Sequence, residues 1–305
     1  MRQIKKIAVI GATGMLGLPV AIALMEAGFE VTALARNTEQ ARRALPAAIS
    51  VVQADARDET SLRMGFAGQD GLYLSLSIAP GERRQDFHTE DQGLEHILSA
   101  ARDAGIVRVA YLSALIQDTQ DSDWWVLDVW RTALKRIKAS GIPYTIFYPT
   151  NFMETLPQRH MSGNRLVMIG RSLYANYWIA GRDFGRQVAR SFAIPQAANR
   201  EYYIQGPEPL TYDEAAERYA HALKKSPRRV RVPMWAARAA GMFSRPLGFN
   251  ARMMRTVLSY PEEFKASEAW DDLGKPTTTI EEFARLQGVL SRQGSHAALR
   301  IIGSA

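Results

Sequence analysis

Ile4 to Gly17 read IKKIAVIGATGMLG, a short apolar run followed by three glycines at the mouth of a helix. Ile7 to Ile10 are apolar enough for a strand buried on both faces of a parallel sheet. Gly11 ends that strand, Gly14 lets the backbone approach a pyrophosphate, and Gly17 lets a helix over Met15–Glu26 pack on the strand. Free amides in the turn formed by Gly11, Thr13, Gly14, Met15, Leu16 and Gly17, together with the positive end of the helix dipole, then suit phosphate anions. The spacing is GxxGxxG rather than the usual GxGxxG, so the reading rests on its context: a strand before it, a helix after it, and a second apolar run beyond.

That second run, Val31 to Ala35, ends in Arg36. A site selecting NAD usually carries an acidic residue about 20 positions past the glycines, where it binds the ribose 2'-hydroxyl. A guanidinium there suits a 2'-phosphate instead, so NADP(H) is expected in preference to NAD(H). Arg42 and Arg43 follow on the next helix and serve either this site or a solvated face. The third run, Ile49 to Gln53, leads to Asp55, which can accept from an adenine amino group or cap the next helix.

Further runs at Leu72–Leu76, Val107–Ser113 and Tyr144–Tyr148 alternate with helical stretches, the pattern of an α/β doubly wound parallel sheet. Ligands on such sheets lie at the carboxyl ends of the strands. This puts Ser75, Leu76, Ser77 and Ser113 on the cofactor and the segment 149–153 beside the reacting centre. After Asn151 the alternation loosens around short runs at Tyr177–Ala180 and Glu201–Ile204. The expected division is a dinucleotide-binding domain over 1–155 and a smaller, mostly helical substrate domain over 156–305, with a segment near 181–200 returning to the sheet. Asp183 is expected to cap a helix there. Thr211 with Glu214 and Thr279 with Glu282 have the spacing of capping boxes. The tail from Ser291 carries few anchors and is expected to be mobile.

At 305 residues and 47% hydrophobic, the chain can bury a large core. It contains no cysteine, which excludes disulfides, a thiol nucleophile and thiolate metal ligands. His88, His96, His160, His221 and His296 have no ligand-like spacing, so no metal is expected. The basic lead and apolar stretch at the N-terminus imitate a signal peptide, but the glycines fall where a strand turns into a helix. No stretch reaches the roughly 18 apolar residues of a span, so no membrane contact and a cytoplasmic address are expected. The net charge of +7 is densest at Lys224, Lys225, Arg228, Arg229 and Arg231. With no reading helix or aromatic platform there, a solvated face or acidic-partner patch is expected rather than direct nucleic-acid binding.

GATGMLG, Arg36, ADARDETSL, SGIPYTIFYPTNFME from Ser140 to Glu154 and the late PEEF and IEEF segments together resemble the NmrA-like group of atypical short-chain dehydrogenases over nearly the whole chain. The resemblance implies a Rossmann fold and a bound NADP(H). Its implications for activity divide, because the group includes isoflavone-reductase-like enzymes, NADPH-dependent quinone reductases and cofactor-sensing regulators. Ordinary short-chain dehydrogenases use YxxxK, and none of the 11 tyrosines here has a lysine four residues on. The lysine of isoflavone-reductase-like members falls on Trp130, and the arginine before the proline of the sixth strand falls on Tyr148. Trp130 lies on an apolar stripe with Val126, Ala133, Leu134 and Ile137, away from Arg131, Lys135 and Lys138.

Two classes of function follow. One is an NADPH-dependent reductase of a small apolar quinone or activated carbonyl, acting by direct hydride transfer without a Tyr/Lys pair. In it Asn151 positions substrate, Ser113 and Tyr148 donate hydrogen bonds, and Trp130 and Phe152 wall the slot. The other is a non-catalytic NADP(H) sensor acting through a protein partner. Structural roles compete for three of these residues: core packing for Trp130, a backbone cap for Asn151 and a strand terminator for Ser113. A monomer or homodimer accommodates either class.

Overall fold

The computed structural model describes residues 3–119, 124–162, 165–223 and 227–293. The first half alternates β1 (Lys6–Ile10), α1 (Gly17–Glu26), β2 (Glu30–Ala35), α2 (Thr38–Ala44), β3 (Ser50–Gln53), α3 (Glu59–Phe66), β4 (Gly71–Leu74), α4 (Gln92–Asp103), β5 (Arg108–Leu112), α5 (Trp125–Ala139) and β6 (Tyr144–Pro149). The second half holds β7 (Met161–Ser162), β8 (Arg165–Ile169), β9 (Asn176–Tyr177), α6 (Gly181–Ala193), β10 (Arg200–Ile204), β11 (Pro209–Leu210), α7 (Tyr212–Ala222) and β12 (Arg228–Val232). It closes with α8 (Met234–Phe243), α9 (Arg245–Ser259), α10 (Ser267–Leu273) and α11 (Ile280–Gln293). The tail beyond residue 293, and Lys224 and Lys225 of the basic cluster, lie outside the described residues.

Seven strands form one parallel sheet in the order β10-β6-β5-β4-β1-β2-β3. Sequence reading leaves Glu201–Ile204 among the loose runs of the second half, whereas β10 pairs in parallel with β6, Tyr202 opposite Phe147. Its side chains complete the core: Tyr202 stacks on Phe147, whose ring meets Phe184 of α6 edge-on. The sheet is sealed on both faces. One core layer joins Ile7, Val9, Tyr73 and Phe147 to α1 and α6. The other joins Leu72, Leu74, Tyr111 and Ile146 to α3, α4 and α5. Burial on both sides explains why these strands read as continuous apolar runs rather than alternating ones.

A separate core gathers Leu166, Trp178, Tyr212, Met254 and Phe283 from the later elements. Here β8 pairs with β12 and β7, and β9 with β11. Thr211 and Glu214 form the full capping box of α7, and Thr279 Oγ1 accepts from the Glu282 amide at 3.2 Å. Asp183 does not cap α6, whose N-cap is Ala180. Its buried carboxylate instead accepts from the amides of Thr277 and Thr278, at 3.0 and 2.9 Å, tying the segment before α11 to α6.

Candidate functional site

From β1 the chain builds outward through β2 to β3, then returns to place β4 on the other side of β1. The strand order reverses between β1 and β4, and a crevice opens there beyond the carboxyl ends of the strands. Gly11 sits on its lip with φ of +86°, and a Cβ there would lie 2.2 Å from the Ser75 carbonyl oxygen. Only glycine fits both conditions. Helix α1 starts at Gly17 rather than at Met15, because residues 11–16 are a turn closed by the Gly14 amide donating to the Gly11 carbonyl at 3.0 Å. A Cβ at Gly17 would approach that same carbonyl to 1.9 Å, so this glycine makes the turn tight.

Two cavities share Leu76, Ser77 and Ala79 and form one groove across the crevice. One end is lined by Gly11, Thr13, Arg36, Asp55 and Ser75, and also by Arg57, which the sequence reading left unassigned. Arg57 lies over the Phe87 ring, 5.0 Å from its centroid, and is positioned by its amide donating to Asp55 Oδ1 at 3.0 Å. Asp55 is therefore a turn-forming residue on the groove wall. The cap of α3 is Asp58, which accepts from the Thr60 amide. Gly14 is exposed at the crest of the turn, between Thr13 and Met15.

The other end is a cavity of about 470 Å³ lined by Met15, Leu16, Leu112, Ser113, Trp130, Asn151 and Phe152 together with Phe249, Met253 and Val257 of α9. Ser113 is buried just past β5, and its Oγ has no hydrogen-bond partner among the described residues. Asn151 Oδ1 accepts from the Tyr212 hydroxyl at 3.1 Å, which leaves its amide nitrogen as a donor. Phe152 lines the cavity while packing edge-on against Phe184.

Tyr148 is not part of this site. Its side chain lies in the core layer on the α3–α5 side of the sheet, tilted against Tyr203, and its hydroxyl donates to Glu201 Oε2 at 2.6 Å. Burial and the neighbouring carboxylate push its phenol well above the ordinary value, the wrong direction for a proton donor. The candidates Ser113 and Asn151 are brought together, and Tyr148 is separated from them by the pleat of β6.

Glu90, missed in the sequence reading, also lines the cavity. It is 2% exposed, and its Oε1 and Oε2 are 3.0 Å from the Tyr111 hydroxyl and from Trp130 Nε1. Burial pushes its carboxyl up to about 7. The hydrogen bonds from Tyr111 and Trp130 oppose the rise, Glu82 adds to it and His88 opposes it. Trp130 is thus neither a sealed core residue nor a bare wall, since its indole N–H holds the carboxyl in place. Its neighbour Asp91 turns the other way and pairs with Arg136. The acid-rich HTEDQ segment before α4 contains no periodicity that marks which carboxyl turns inward.

Comparison with known proteins agrees with this architecture. The sequence profile of the NmrA-like family matches residues 3–284. Quinone oxidoreductase 2 of Escherichia coli is 29% identical over 290 residues, covering 90% of this chain and 96% of that protein. The NAD(P)H azoreductase of Xenophilus azovorans is 24% identical, covering 92% and 96%. The crystal structure of the Escherichia coli quinone oxidoreductase QOR2 complexed with NADPH superposes with a TM-score of 0.72 at 26% identity, covering 92% and 98%. The chain belongs to the NmrA-like family.

Proposed function

We propose that the protein is an NADPH-dependent reductase of a small apolar quinone or activated carbonyl compound, working by direct hydride transfer without a tyrosine–lysine pair. The observation that carries this reading is the cavity at the strand ends, walled largely by apolar side chains and lined as well by the buried Glu90 and by Ser113 and Asn151. The names of the relatives, a quinone reductase and an azoreductase, support it.

The residues of the groove fit NADP(H). Arg36 and Arg57 offer guanidinium groups to a 2'-phosphate, the turn from Gly11 to Leu16 offers amides to a diphosphate, and the Ser113 Oγ, without a hydrogen-bond partner among the described residues, offers a hydroxyl at the far end. When bound, the cofactor supplies the hydride. Residues 1–155 hold it, and α9 from the later half closes the substrate side with Phe249, Met253 and Val257, which exclude water. The Asn151 amide nitrogen orients a substrate oxygen.

Hydride addition to a conjugated carbonyl leaves a negative charge on the substrate oxygen, and one proton completes the reduction. Glu90 supplies it. An indole N–H only donates, so Oε2 stays an acceptor and the acid proton resides on Oε1. A carboxyl near 7 is poised to give a proton at neutral pH and regain it from solvent. The test is turnover of purified protein with NADPH against a panel of quinones and enones. A rate above the uncatalysed background is expected. Tight NADPH binding with no turnover on any of them would put the sensor reading in its place.

A further inference from the structure

The hairpin that closes the pocket turns an unusual surface outward. Between Glu217 and Glu262 the chain carries ten lysines and arginines and no carboxylate. Three of these cations are engaged within the body of the protein: Arg218 with Glu208, Arg229 with Glu217 and Arg231 with Asp213. The hairpin itself, α8 and α9, adds Arg238, Arg245, Arg252 and Arg255. Arg238, Arg245 and Arg255 make no ion pair among the described residues.

Large apolar side chains stand among these arginines. Trp235 is 74% exposed, Met242 77%, Phe243 90% and Leu247 51%. Trp235, Arg238 and Met242 lie at i, i+3 and i+7, one stripe along α8, while Phe243 and Leu247 flank the tip where α8 turns into α9. No residue of α8 is fully buried. The two helices nonetheless hold each other closely, since a Cβ on Gly241 would lie 2.6 Å from the Gly248 Cα. Phe249 fixes the pair to the body by meeting Trp124 edge-on at 5.1 Å. The apolar tip therefore projects from a closely packed pair of helices.

We propose that the outer face of the α8–α9 hairpin docks on an anionic lipid surface, with Trp235, Met242, Phe243 and Leu247 entering the headgroup region and Arg238, Arg245 and Arg255 meeting lipid phosphates. Charge selects this occupant. In a two-fold contact between copies the same patch meets itself and brings arginines against arginines, with Glu82 the acid that shares a cavity with Arg238 and Arg245 among the described residues, so the contact keeps an excess of positive charge. A phosphate backbone alone satisfies the arginines but leaves the tip's apolar side chains in water, whereas a bilayer interface takes both. Among the described residues no helix is long and apolar enough to cross a membrane, so the contact is peripheral. On the proposed reductase reading, the consequence is that an apolar substrate dissolved in lipid meets the same hairpin whose inner face, at Phe249, Met253 and Val257, lines the pocket.

Sedimentation of the full chain with sucrose-loaded vesicles tests the docking independently of turnover. Binding to vesicles of phosphatidylglycerol and phosphatidylcholine, weakened by salt and absent with phosphatidylcholine alone, is the expected result. Arg238→Gln with Arg245→Gln should weaken it by about 30-fold, on the scale of one surface cation per lipid-facing arginine. Trp235→Ser with Phe243→Ser should weaken it too while leaving circular dichroism unchanged, because both side chains are exposed. Failure to bind anionic vesicles, or equal binding by all variants, overturns the proposal. So does a concentration-dependent dimer that Phe243→Ser dissolves in the absence of lipid. The turnover panel stands or falls separately.

Discussion

Glutamine at position 90 keeps the shape of the buried carboxyl and removes its proton. In the Glu90→Gln protein the amide oxygen can accept from Trp130 Nε1 and the amide nitrogen can donate to the Tyr111 oxygen, so both 3.0 Å contacts have a counterpart. With the Glu90 carboxyl near 7, about half of it is protonated at neutral pH, and that fraction falls to about one-tenth at pH 8 and about one-hundredth at pH 9. Single-turnover oxidation of NADPH by a reducible quinone should therefore fall above pH 7 in the wild type. In Glu90→Gln it should be flat and lower by on the order of 100-fold or more at pH 6, the usual contribution of a positioned acid. The two rates should converge above pH 9.

A second readout does not depend on catalysis. The folded carboxyl lies above its unfolded value of 4.5, so the native state holds the extra proton and stability falls as pH rises from 4.5 through 7. A displacement from 4.5 to about 7 corresponds to about 3 kcal/mol. Urea unfolding should show Glu90→Gln gaining about that much on the wild type between pH 5 and pH 9. An identical pH–rate slope in both proteins would refute the proton role even if the stability difference appeared. Loss of the stability difference would refute the burial argument itself.

Three further outcomes follow from the groove and its walls. Trp130→Phe removes the donor to Glu90 Oε2, which should move the pH–rate midpoint upward by about one unit while NADPH affinity, read by calorimetry, stays nearly unchanged; an unmoved midpoint would separate the indole from the carboxyl's chemistry. NADP(H) should bind more tightly than NAD(H) by about 1.5 to 3 kcal/mol through Arg36, a preference that Arg36→Ala should largely abolish; equal affinities in the wild type would remove Arg36 from the site. Gly14→Val should fold, because a Cβ there meets only the Gly11 carbonyl oxygen at 3.2 Å, yet it should fail to bind the cofactor by crowding the crest of the turn; retained binding by the folded variant would place the phosphates elsewhere.

The parallel sheet is legible in the sequence because a strand buried on both faces must be largely apolar, and Ile7–Ile10 is so throughout while Thr32 and Thr145 are the only aliphatic hydroxyls in Val31–Ala35 and Tyr144–Tyr148. The glycine turn is legible for a similar local reason, since backbone geometry at Gly11 and close approach at Gly17 constrain residue type directly. The apolar stripe of α5 likewise put Trp130 on the inner face. What local pattern could not determine was the fate of residues whose role depends on another element. Tyr148 reads as a polar group near a strand end, but the pleat of β6 turns it toward Glu201 and away from the cavity. Glu201–Ile204 reads as a stray run until β6 offers it an open edge. Glu90 reads as one of several loop acids, and only the packing of β5 and α5 brings Tyr111 and Trp130 to it and takes it out of water. Strand and turn formation are fixed over a few residues by backbone sterics and burial, whereas the charge state of a carboxyl and the wall of a pocket are set by desolvation, which exists only once distant segments have closed around them.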